Sequence, residues 1–454
     1  MADTIAAIAT GGVISAIGII RLSGDKAIEI ADKVFKSYTG KKMSEMPDRK
    51  LSYGELFDEN GEVLDICLCT VSRGPGSYTG EHTAEFQCHG SPVVLTAGLQ
   101  ALFAAGARQA LAGEFTKRAF LNGRMDLSQA EAVIDIIDAE TVGAAKNAAG
   151  QLAGAIGRRA DAIYSELVDI MAHFHAVLDY PDEEIEEFTL EGYVDTLNNA
   201  EKTLSNLLAT YERGRIMKEG VKCAIIGRPN AGKSSLLNAL VGYDRAIVTN
   251  IAGTTRDTIE EKIKVGGVVL RLVDTAGIRE TDDIVERMGV ERSVAAAQEA
   301  ELVIAVFDGA DTFSDEDREV LEKATNANKA IFVINKSDIE NSTVPNELKD
   351  TDCCVVSAVT GQGINELEKR IQEIFDTGAK IPAGEVLTNA RHADAIKRAL
   401  DSIVNAKTAM EAAVTPDAVL TEIEDALGAI GEITGRTMRD DVTDRIFSRF
   451  CVGK

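Results

Sequence analysis

The chain contains 454 residues, of which 45% are hydrophobic, and its formal net charge at pH 7 is −25. This length predicts two to four domains, and the hydrophobic content is sufficient for well-packed cores. The acidic balance argues against DNA as a partner and disfavours nucleic-acid binding in general, because phosphate contacts require lysine and arginine. Local basic clusters such as Lys117, Arg118 and Arg124 keep an RNA partner possible.

The sequence also carries information about the compartment. No apolar run is long enough to cross a bilayer, and the first residues lack the charged-then-apolar pattern of a signal peptide. We therefore expect a cytoplasmic protein without a membrane partner. Seven cysteines, an odd number without C-x-x-C spacing, predict reduced thiols and argue against a disulfide scaffold or a zinc site.

Residues 1–117 predict a small N-terminal α+β domain. Strand patterns cover 13–22 and 63–71, and amphipathic helical patterns cover 25–35 and 93–105. Between them, residues 73–81 form a loop with three glycines and a proline, which is either simple punctuation or part of a ligand site. The polar residues that follow, including Glu85 and His89, would suit the wall of such a site.

The rest of the chain predicts a helical-bundle domain interrupted by an α/β domain. Residues 118–217 form its first part, 218–378 a P-loop GTPase domain with a Ras-like parallel sheet, and 379–454 its second part. Helices are predicted at 127–138, 141–178, 190–213, 389–412 and 416–433. Pro181 and the acidic run after it mark a break. The chain is thus predicted to be a multidomain α/β protein in which the GTPase domain is inserted between packed helices.

The strongest motif is a phosphate loop at 227–234, Gly-Arg-Pro-Asn-Ala-Gly-Lys-Ser. It follows the apolar strand pattern 221–226 and precedes a helical pattern that begins at Ser235. Its glycines let backbone N–H groups converge on phosphate oxygens at a helix N-terminus. Lys233 can reach the β- and γ-phosphates, and the Ser234 hydroxyl can bind Mg²⁺.

Three further stretches indicate that the nucleotide is GTP. Asp274-Thr275-Ala276-Gly277 follows an apolar strand and suits Mg²⁺ and the γ-phosphate. Asn335-Lys336-Ser337-Asp338 follows another strand, and the Asp338 carboxylate can accept both N–H donors on one edge of guanine. Lys336 can cover the base, and a backbone N–H at Ser357-Ala358 can meet the guanine carbonyl. Together these motifs are typical of the GTPase superfamily.

Two features depart from the common GTPase pattern. Ile278 stands where many GTPases have a glutamine that orients the attacking water, so help must come from elsewhere. Acidic residues of the next segment, including Glu286, are candidates, or they are ordinary solvated charges. The second feature is the segment Asp244 to Asp257, in which one of the two threonines at 254 and 255 should complete the Mg²⁺ shell. Asn230 and loop carbonyls there could hold a monovalent cation in place of an arginine finger, with Arg256 as the rival explanation.

With these residues in place, the chain resembles the tRNA-modification GTPase family called MnmE or TrmE along its whole length. The resemblance is carried by residues 227–238, 253–257, 77–81 (Ser-Tyr-Thr-Gly-Glu), 119–122, Phe188 and the terminal Phe450-Cys451-Val452-Gly453-Lys454. It implies a homodimer, activated by K⁺, that acts on tRNA with the flavin-dependent partner MnmG (GidA). The reaction it implies adds an aminomethyl-type group at C5 of the wobble uridine (U34), with a 5-formyl-tetrahydrofolate-type one-carbon donor.

The resemblance also assigns residues to roles. It implies K⁺ at Asn230, Thr249, Ile251 and Thr254, Mg²⁺ at Ser234 and Thr255, the folate at Arg21, Glu85, Arg124 and Lys454, and water orientation by Glu286. The family pattern has lysine at position 124, so Arg124 keeps the charge. The residues expected around GTP or GDP are Asn230, Ala231, Gly232, Lys233, Ser234, Ser235, Thr249, Asn250, Ile251, Ala252, Gly253, Thr254, Thr255, Asp274, Thr275, Ala276, Gly277, Asn335, Lys336, Asp338, Ser357 and Ala358.

Some alternatives stay open at this point. Cys451 is either a catalytic thiolate near the folate or a small buried hydrophobic residue. The other cysteines are assigned to core packing. The function is either tRNA modification or that of a ribosome-assembly or RNA-binding GTPase switch without modification chemistry. A folate enzyme with a regulatory GTPase domain is a third reading.

Overall fold

The computed structural model describes residues 3–179, 190–243, 261–273, 299–349, 351–375, 382–412, 416–437, 440–448 and 450–453. The predictions for Pro181, 244–260, 274–298 and Lys454 therefore lie outside the described residues. Within the described ranges, no helix combines the length and the apolar character needed to span a bilayer.

The described residues form both strands and helices. In the strands, the order is β1 (Ile5–Ile8), β2 (Ser15–Ser23), β3 (Phe35–Ser37), β4 (Ser52–Phe57), β5 (Val63–Ser72), β6 (Thr83–Gly90), β7 (Arg108–Gln109), β8 (Val221–Ile226), β9 (Glu261–Val265), β10 (Val268–Leu272), β11 (Leu302–Asp308), β12 (Ala330–Asn335) and β13 (Cys353–Val355). The helices are α1 (Ala27–Val34), α2 (Pro92–Ala104), α3 (Glu114–Leu121), α4 (Leu127–Ile137), α5 (Val142–Leu152), α6 (Ala155–Asp179), α7 (Leu190–Leu208), α8 (Tyr211–Glu219), α9 (Lys233–Tyr243), α10 (Asp315–Thr325), α11 (Ile364–Phe375), α12 (Ala390–Glu411), α13 (Pro416–Thr434) and α14 (Asp440–Phe447).

Two long helices predicted from the sequence are wrong, because each is interrupted. The helix predicted at 141–178 breaks between α5 and α6, where Gly154 adopts a φ of +85° and its N–H bonds to the Gln151 carbonyl at 2.8 Å. A left-handed glycine ends a helix, which explains the break. The helix predicted at 190–213 ends at Leu208, and Thr210 there accepts a hydrogen bond from Leu387 N–H at 2.9 Å.

The first sheet has the strand order β3-β4-β5-β6-β2-β1-β7, and all its pairs are antiparallel except β1 with β7. Helices α1 and α2 pack on one face of this sheet, where Ile20, Phe86 and Leu102 are fully buried. Because side chains alternate along a strand, Arg21 and Glu85 point to the other face. The predicted strands 13–22 and 63–71 and helices 25–35 and 93–105 are confirmed as β2, β5, α1 and α2.

Helices before and after the second sheet in the sequence pack on each other. Helix α6 contacts α13, which confirms the predicted packing of helices from the two sides of the GTPase region. Nearby, Leu127, Phe447 and Phe450 share a small core. These residues belong to one compact unit, Met1–Ile137, Gln151–Glu201 and Ala395–Lys454. The four residue ranges drawn from the sequence as domains stay a prediction.

The second sheet lies in the other compact unit, Asp138–Gly150 and Lys202–Asp394. Its order is β13-β12-β11-β8-β10-β9, and every pair is parallel except β9 with β10. Strand β11 is buried along nearly its whole length, as expected for a central strand covered on both faces. In such sheets ligands bind beyond the carboxyl ends of the strands, where the predicted GTP motifs stand.

Candidate nucleotide site and N-terminal site

The phosphate loop connects the end of β8 to the start of α9. Asn230 and Gly232 adopt positive φ angles of +61° and +95°. A Cβ atom on Gly232 would collide with Nδ2 of Asn335, and one on Gly227 would lie 2.5 Å from the Val306 carbonyl oxygen. Close packing therefore favours glycine at both positions, and at position 232 the backbone conformation favours it as well.

Lys233 points back into this loop. Its Nζ donates to the carbonyls of Gly227 at 2.8 Å and Arg228 at 2.9 Å. Burial lowers the pKa of Lys233, an effect opposed by the charge of Glu316. The ammonium is thus held in the curve of the loop, beside Ser234 at the start of the same helix, where a cation can meet phosphate oxygens.

The loop is anchored by an arginine that the sequence did not single out. Arg228 donates to Asp311 Oδ2 at 2.9 Å, and its Nε lies 3.3 Å from Asp317 Oδ2. Asp317 also closes the capping box of α10 with Ser314. The phosphate-loop motif allows any residue at position 228, so the contact between Arg228 and Asp317 on α10 could not be predicted from the motif.

Asn335 links the phosphate loop to the segment predicted to contact the base. Its Nδ2 donates to the Ala231 carbonyl at 3.0 Å, and its Oδ1 accepts from Ala358 N–H at 3.1 Å. The side chain is almost completely buried. A single amide thus fixes the spacing between the phosphate-binding and base-binding segments, because it satisfies a donor and an acceptor on separate loops.

Asp338 and Ser357 meet at the end of the sheet. Ser357 Oγ donates to Asp338 Oδ1 at 2.6 Å and accepts from Thr360 N–H at 3.1 Å. This arrangement holds a carboxylate in one orientation. Lys336, at a φ of +68°, pairs with Asp308 Oδ2 at 2.6 Å. Asp308 ends β11 and was not predicted to belong to the site.

The structure therefore brings together the predicted residues of the phosphate loop, 335–338 and 357–358. The remaining predicted GTP, Mg²⁺ and K⁺ residues and two of the catalytic candidates lie outside the described part of the chain: Thr249, Asn250, Ile251, Ala252, Gly253, Thr254, Thr255, Arg256, Asp274, Thr275, Ala276, Gly277 and Glu286. Their roles stay predictions.

A second polar site lies on the first sheet. Arg21 and Glu85 stand opposite each other on β2 and β6, and Arg21 Nε donates to Glu85 Oε1 at 2.7 Å. The Arg21 guanidinium lies 5.7 Å from the ring centres of both Tyr78 and Phe115. These two aromatic residues were not predicted as site residues. The loop pattern around Tyr78 is the only sequence signal that could have suggested one of them.

The other predicted folate residues are less fully described. Arg124 is exposed and runs along Gly80, where a Cβ atom would lie 3.4 Å from its Cγ. Gly80 has a φ of +79°, so the loop beside Tyr78 needs a glycine there. Lys454 lies outside the described residues, and among the described residues Arg124 forms no hydrogen bond or ion pair with Arg21 or Glu85.

An ionic cluster around the buried Arg118 and Glu114 holds the loop 77–81 against β2 and α3. Arg118 pairs with Glu81 at 3.0 Å, with Asp3 at 2.8 Å and with Glu114 at 2.9 Å. Ser23 Oγ donates to Glu81 Oε2 at 2.7 Å. Hydrogen bonding from Arg108, assisted by Arg118, lowers the pKa of Asp3 to about 2, so this carboxylate is charged at neutral pH.

The C-terminal tail returns to the N-terminal domain. Val452 forms a β-bridge with Ala112, and Gly113 N–H donates to the Cys451 carbonyl at 3.3 Å. The Cys451 thiol is exposed, so its interpretation as a buried hydrophobic residue is wrong, whereas its catalytic role stays a prediction. The assignment of the other cysteines to packing is confirmed for the five that are buried.

The parallel sheet, its phosphate loop and the converging Asn335, Asp338 and Ser357 define a P-loop GTP-binding protein. Family models described as "MnmE helical domain" and "GTP-binding protein TrmE N-terminus" match residues 127–451 and 4–124. The tRNA modification GTPase MnmE of Clostridioides difficile is 42% identical over 457 residues, which cover 100% of this chain and 99% of that protein. The chain belongs to the MnmE family of tRNA modification GTPases and is a GTP hydrolase of tRNA modification.

A second whole-chain relative agrees with this family. The protein of the same description from Acetivibrio thermocellus is 44% identical over 458 residues, covering 100% of this chain and 99% of that protein. The G domain of the FeoB iron transporter from T. maritima is 28% identical, with a TM-score of 0.26, and covers 34% of this chain and 99% of that domain. A TM-score of 0.26 carries no argument about the fold. The whole-chain relatives are described as tRNA modification GTPases, and they favour tRNA modification over a ribosome-assembly switch.

Proposed function

We propose that this GTPase, together with the flavin-dependent protein MnmG, adds an aminomethyl-type group at C5 of the wobble uridine of certain tRNAs. The carbon of the added group comes from a 5-formyl-tetrahydrofolate-type donor. The observation that carries the proposal is the Arg21–Glu85 pair on the first sheet, where two aromatic rings lie beside Arg21. We place this reaction in the cytoplasm, where the proposed tRNA substrates are found.

The residues present fit a reduced folate. A pterin ring presents a row of N–H donors, which a carboxylate such as Glu85 accepts, and the glutamyl tail presents carboxylates that suit Arg124. Thr70 stands opposite Glu85 on β5, and its buried Oγ1 has no hydrogen-bond partner among the described residues. A buried polar atom without a partner is unusual, and it supports a ligand at this place. When bound, the folate supplies a one-carbon unit.

We expect Glu85→Gln to weaken binding of 5-formyl-tetrahydrofolate about tenfold to a hundredfold, because a charge-assisted hydrogen bond contributes about 1.5–3 kcal/mol. Isothermal titration of the full chain measures this affinity. Glu55→Gln, on β4 of the same sheet, is the matched control and should bind like the wild type. Equal affinity of the Glu85 variant and the control would contradict the folate site.

In the nucleotide site, we assign Mg²⁺ to Ser234 and Thr255 and K⁺ to Asn230, Thr249, Ile251 and Thr254. Asn230 and Ser234 are the described members of these sets, and both are exposed at the mouth of the phosphate loop. Glu286 would orient the attacking water, with Arg256 as the rival source of charge neutralisation. Glu286 would thereby take the water-orienting role of the glutamine that many GTPases have at the position of Ile278.

Potassium should therefore accelerate hydrolysis. We expect the steady-state GTPase rate of the wild type to be at least about tenfold higher in K⁺ than in Na⁺ at equal ionic strength, because a correctly sized cation neutralises charge that develops between the phosphates. Asn230→Ala should lose this difference while it still binds GTP. Equal rates in the two salts would argue instead for Arg256.

A homodimer would bring two GTPase domains together, and one surface of the first compact unit suits self-association. Val13 and Ile14, just before β2, and Ile17, within it, are 75%, 87% and 58% exposed. Three neighbouring aliphatic side chains in water favour a protein interface. Charged substitutions at Ile14 and Ile17 would test this by sedimentation of the full chain.

A further inference from the structure

We infer that the connection between β3 and β4 forms a docking surface for tRNA. This basic loop surface consists of Lys36, Tyr38, Lys41, Lys42, Arg49, Lys50 and Tyr53. Residues 33–50 contain six lysines and arginines against two acidic residues, although the whole chain carries a net charge of −25. The inference rests on the proposed function, because that function makes tRNA the substrate.

The loop is held in a fixed shape by buried anchors. Met43 and Met46 are buried in the core of the first sheet. Asp32 accepts hydrogen bonds from the N–H groups of Met43 at 2.5 Å and Ser44 at 3.2 Å. Arg73 donates to the carbonyls of Ser44 at 2.7 Å and Met46 at 3.1 Å. The side chains between these anchors are therefore presented to solvent by a preorganised backbone, which lowers the entropy cost of binding.

The lysines of this surface are available for phosphates. Lys36, Lys41, Lys42 and Lys50 are exposed, and in the described part of the chain none of them forms an ion pair. Elsewhere in the same domain, basic side chains such as Arg108 and Arg118 are engaged with carboxylates. A set of unpaired cations on an acidic protein is the electrostatic footprint of a polyanion site.

Two exposed aromatic rings lie near Lys36, one just after β3 and one on β4, and the Tyr38 hydroxyl donates to Glu55 Oε1 at 3.2 Å. Tyr38 and Tyr53 are 54% and 56% exposed, and their ring centres lie 5.4 Å apart at an angle of 64°. A backbone hydrogen bond of 3.0 Å from Tyr38 N–H to the Tyr53 carbonyl fixes them side by side. Exposed rings beside cations suit unpaired RNA bases, which stack on aromatic side chains while the backbone meets lysines. A partner protein with an acidic surface would contact the lysines but would leave the two rings without a role.

The surface is also connected to the candidate folate site. Arg49 donates to the Gly76 carbonyl, in the same loop that places Tyr78 beside Arg21. The basic loop surface lies by β3, at one edge of the sheet, whereas Val13, Ile14 and Ile17 lie at or just before β2. Strands β4, β5 and β6 separate β3 from β2. An RNA held here would therefore contact the loop 73–81, which borders the one-carbon site, and would lie away from the apolar surface proposed for dimerisation.

The experiment measures binding of a tRNA transcript to the full chain by fluorescence anisotropy over a range of salt concentrations. Lys41→Ala/Lys42→Ala should weaken binding about tenfold at low salt and reduce the slope of log affinity against log salt by roughly one to two. Tyr38→Ala/Tyr53→Ala should weaken binding about tenfold without changing that slope, because stacking releases no counterions. Wild-type GTP hydrolysis and thermal stability would show that each variant is folded.

Lys202→Ala/Lys397→Ala is the matched control, because it removes the same charge from two exposed lysines elsewhere. Binding by Lys41→Ala/Lys42→Ala at the level of this control would overturn the inference. So would normal tRNA binding with loss of MnmG binding, which would make the surface a protein interface. Neither outcome affects the proposed function, which fails only if folate binding and wobble modification are absent.

Discussion

Lys233→Ala should reduce the GTPase rate of the full chain by about 10²–10³, with Mg²⁺ and K⁺ present. The Lys233 ammonium is held inside the phosphate loop by the carbonyls of Gly227 and Arg228. Removing it takes away a preorganised positive charge at the position where negative charge develops during phosphoryl transfer. Phosphate release under saturating GTP is the measurement.

Lys222→Ala is the control for this change, since Lys222 is exposed on β8, the strand that leads into the same loop. It removes one positive charge from the same strand-loop-helix unit but not from the loop. A Lys222 variant with the wild-type rate and a Lys233 variant within a few-fold of it would together contradict the assigned role of the phosphate loop.

The second large effect concerns the base. Asp338→Asn should lower the affinity for GTP roughly 30-fold, as expected for a cost of about 2 kcal/mol, and reverse the preference towards xanthosine triphosphate. In the proposed site the Asp338 carboxylate would accept two N–H donors of guanine. An asparagine offers one acceptor and one donor, so one guanine N–H would lose its acceptor at a cost of about 2 kcal/mol. Xanthine replaces the guanine amino group with a carbonyl, which the asparagine N–H can meet.

Competition between labelled GTP and xanthosine triphosphate measures this preference directly. Ser357, which donates to Asp338 Oδ1 at 2.6 Å, can donate equally to an asparagine oxygen, so the side chain should keep its orientation. Glu340→Gln, two residues away and exposed, should leave the preference unchanged. An Asp338 variant that still prefers GTP would show that the base is read elsewhere.

Much of the architecture could be predicted because its signals are local. The apolar run before Gly227 and the helical spacing after Ser234 predicted β8 and α9, and the polar motifs at Asn335 and Ser357 predicted the ends of further strands. The failures were also local. Gly154 lies inside a periodic helical pattern, and periodicity alone does not show that its backbone turns left-handed.

Contacts between distant segments could not be predicted. Asp308 and Asp311 look like solvated loop acids in the sequence, but they meet Lys336 and Arg228 because parallel strands end at one edge. In the same way Tyr78 and Phe115 lie far apart along the chain and flank Arg21 only after the sheet and α3 have formed. Which distant side chains meet depends on tertiary packing, and a local sequence pattern does not show it.

The most direct test of the account is the chemical state of the wobble uridine in tRNA from cells that lack this protein, read by mass spectrometry of nucleosides. The account predicts loss of the C5 aminomethyl-type groups, restored by the wild-type chain but not by the Lys233→Ala or Glu85→Gln variants. Normal modification in cells without the protein would contradict it.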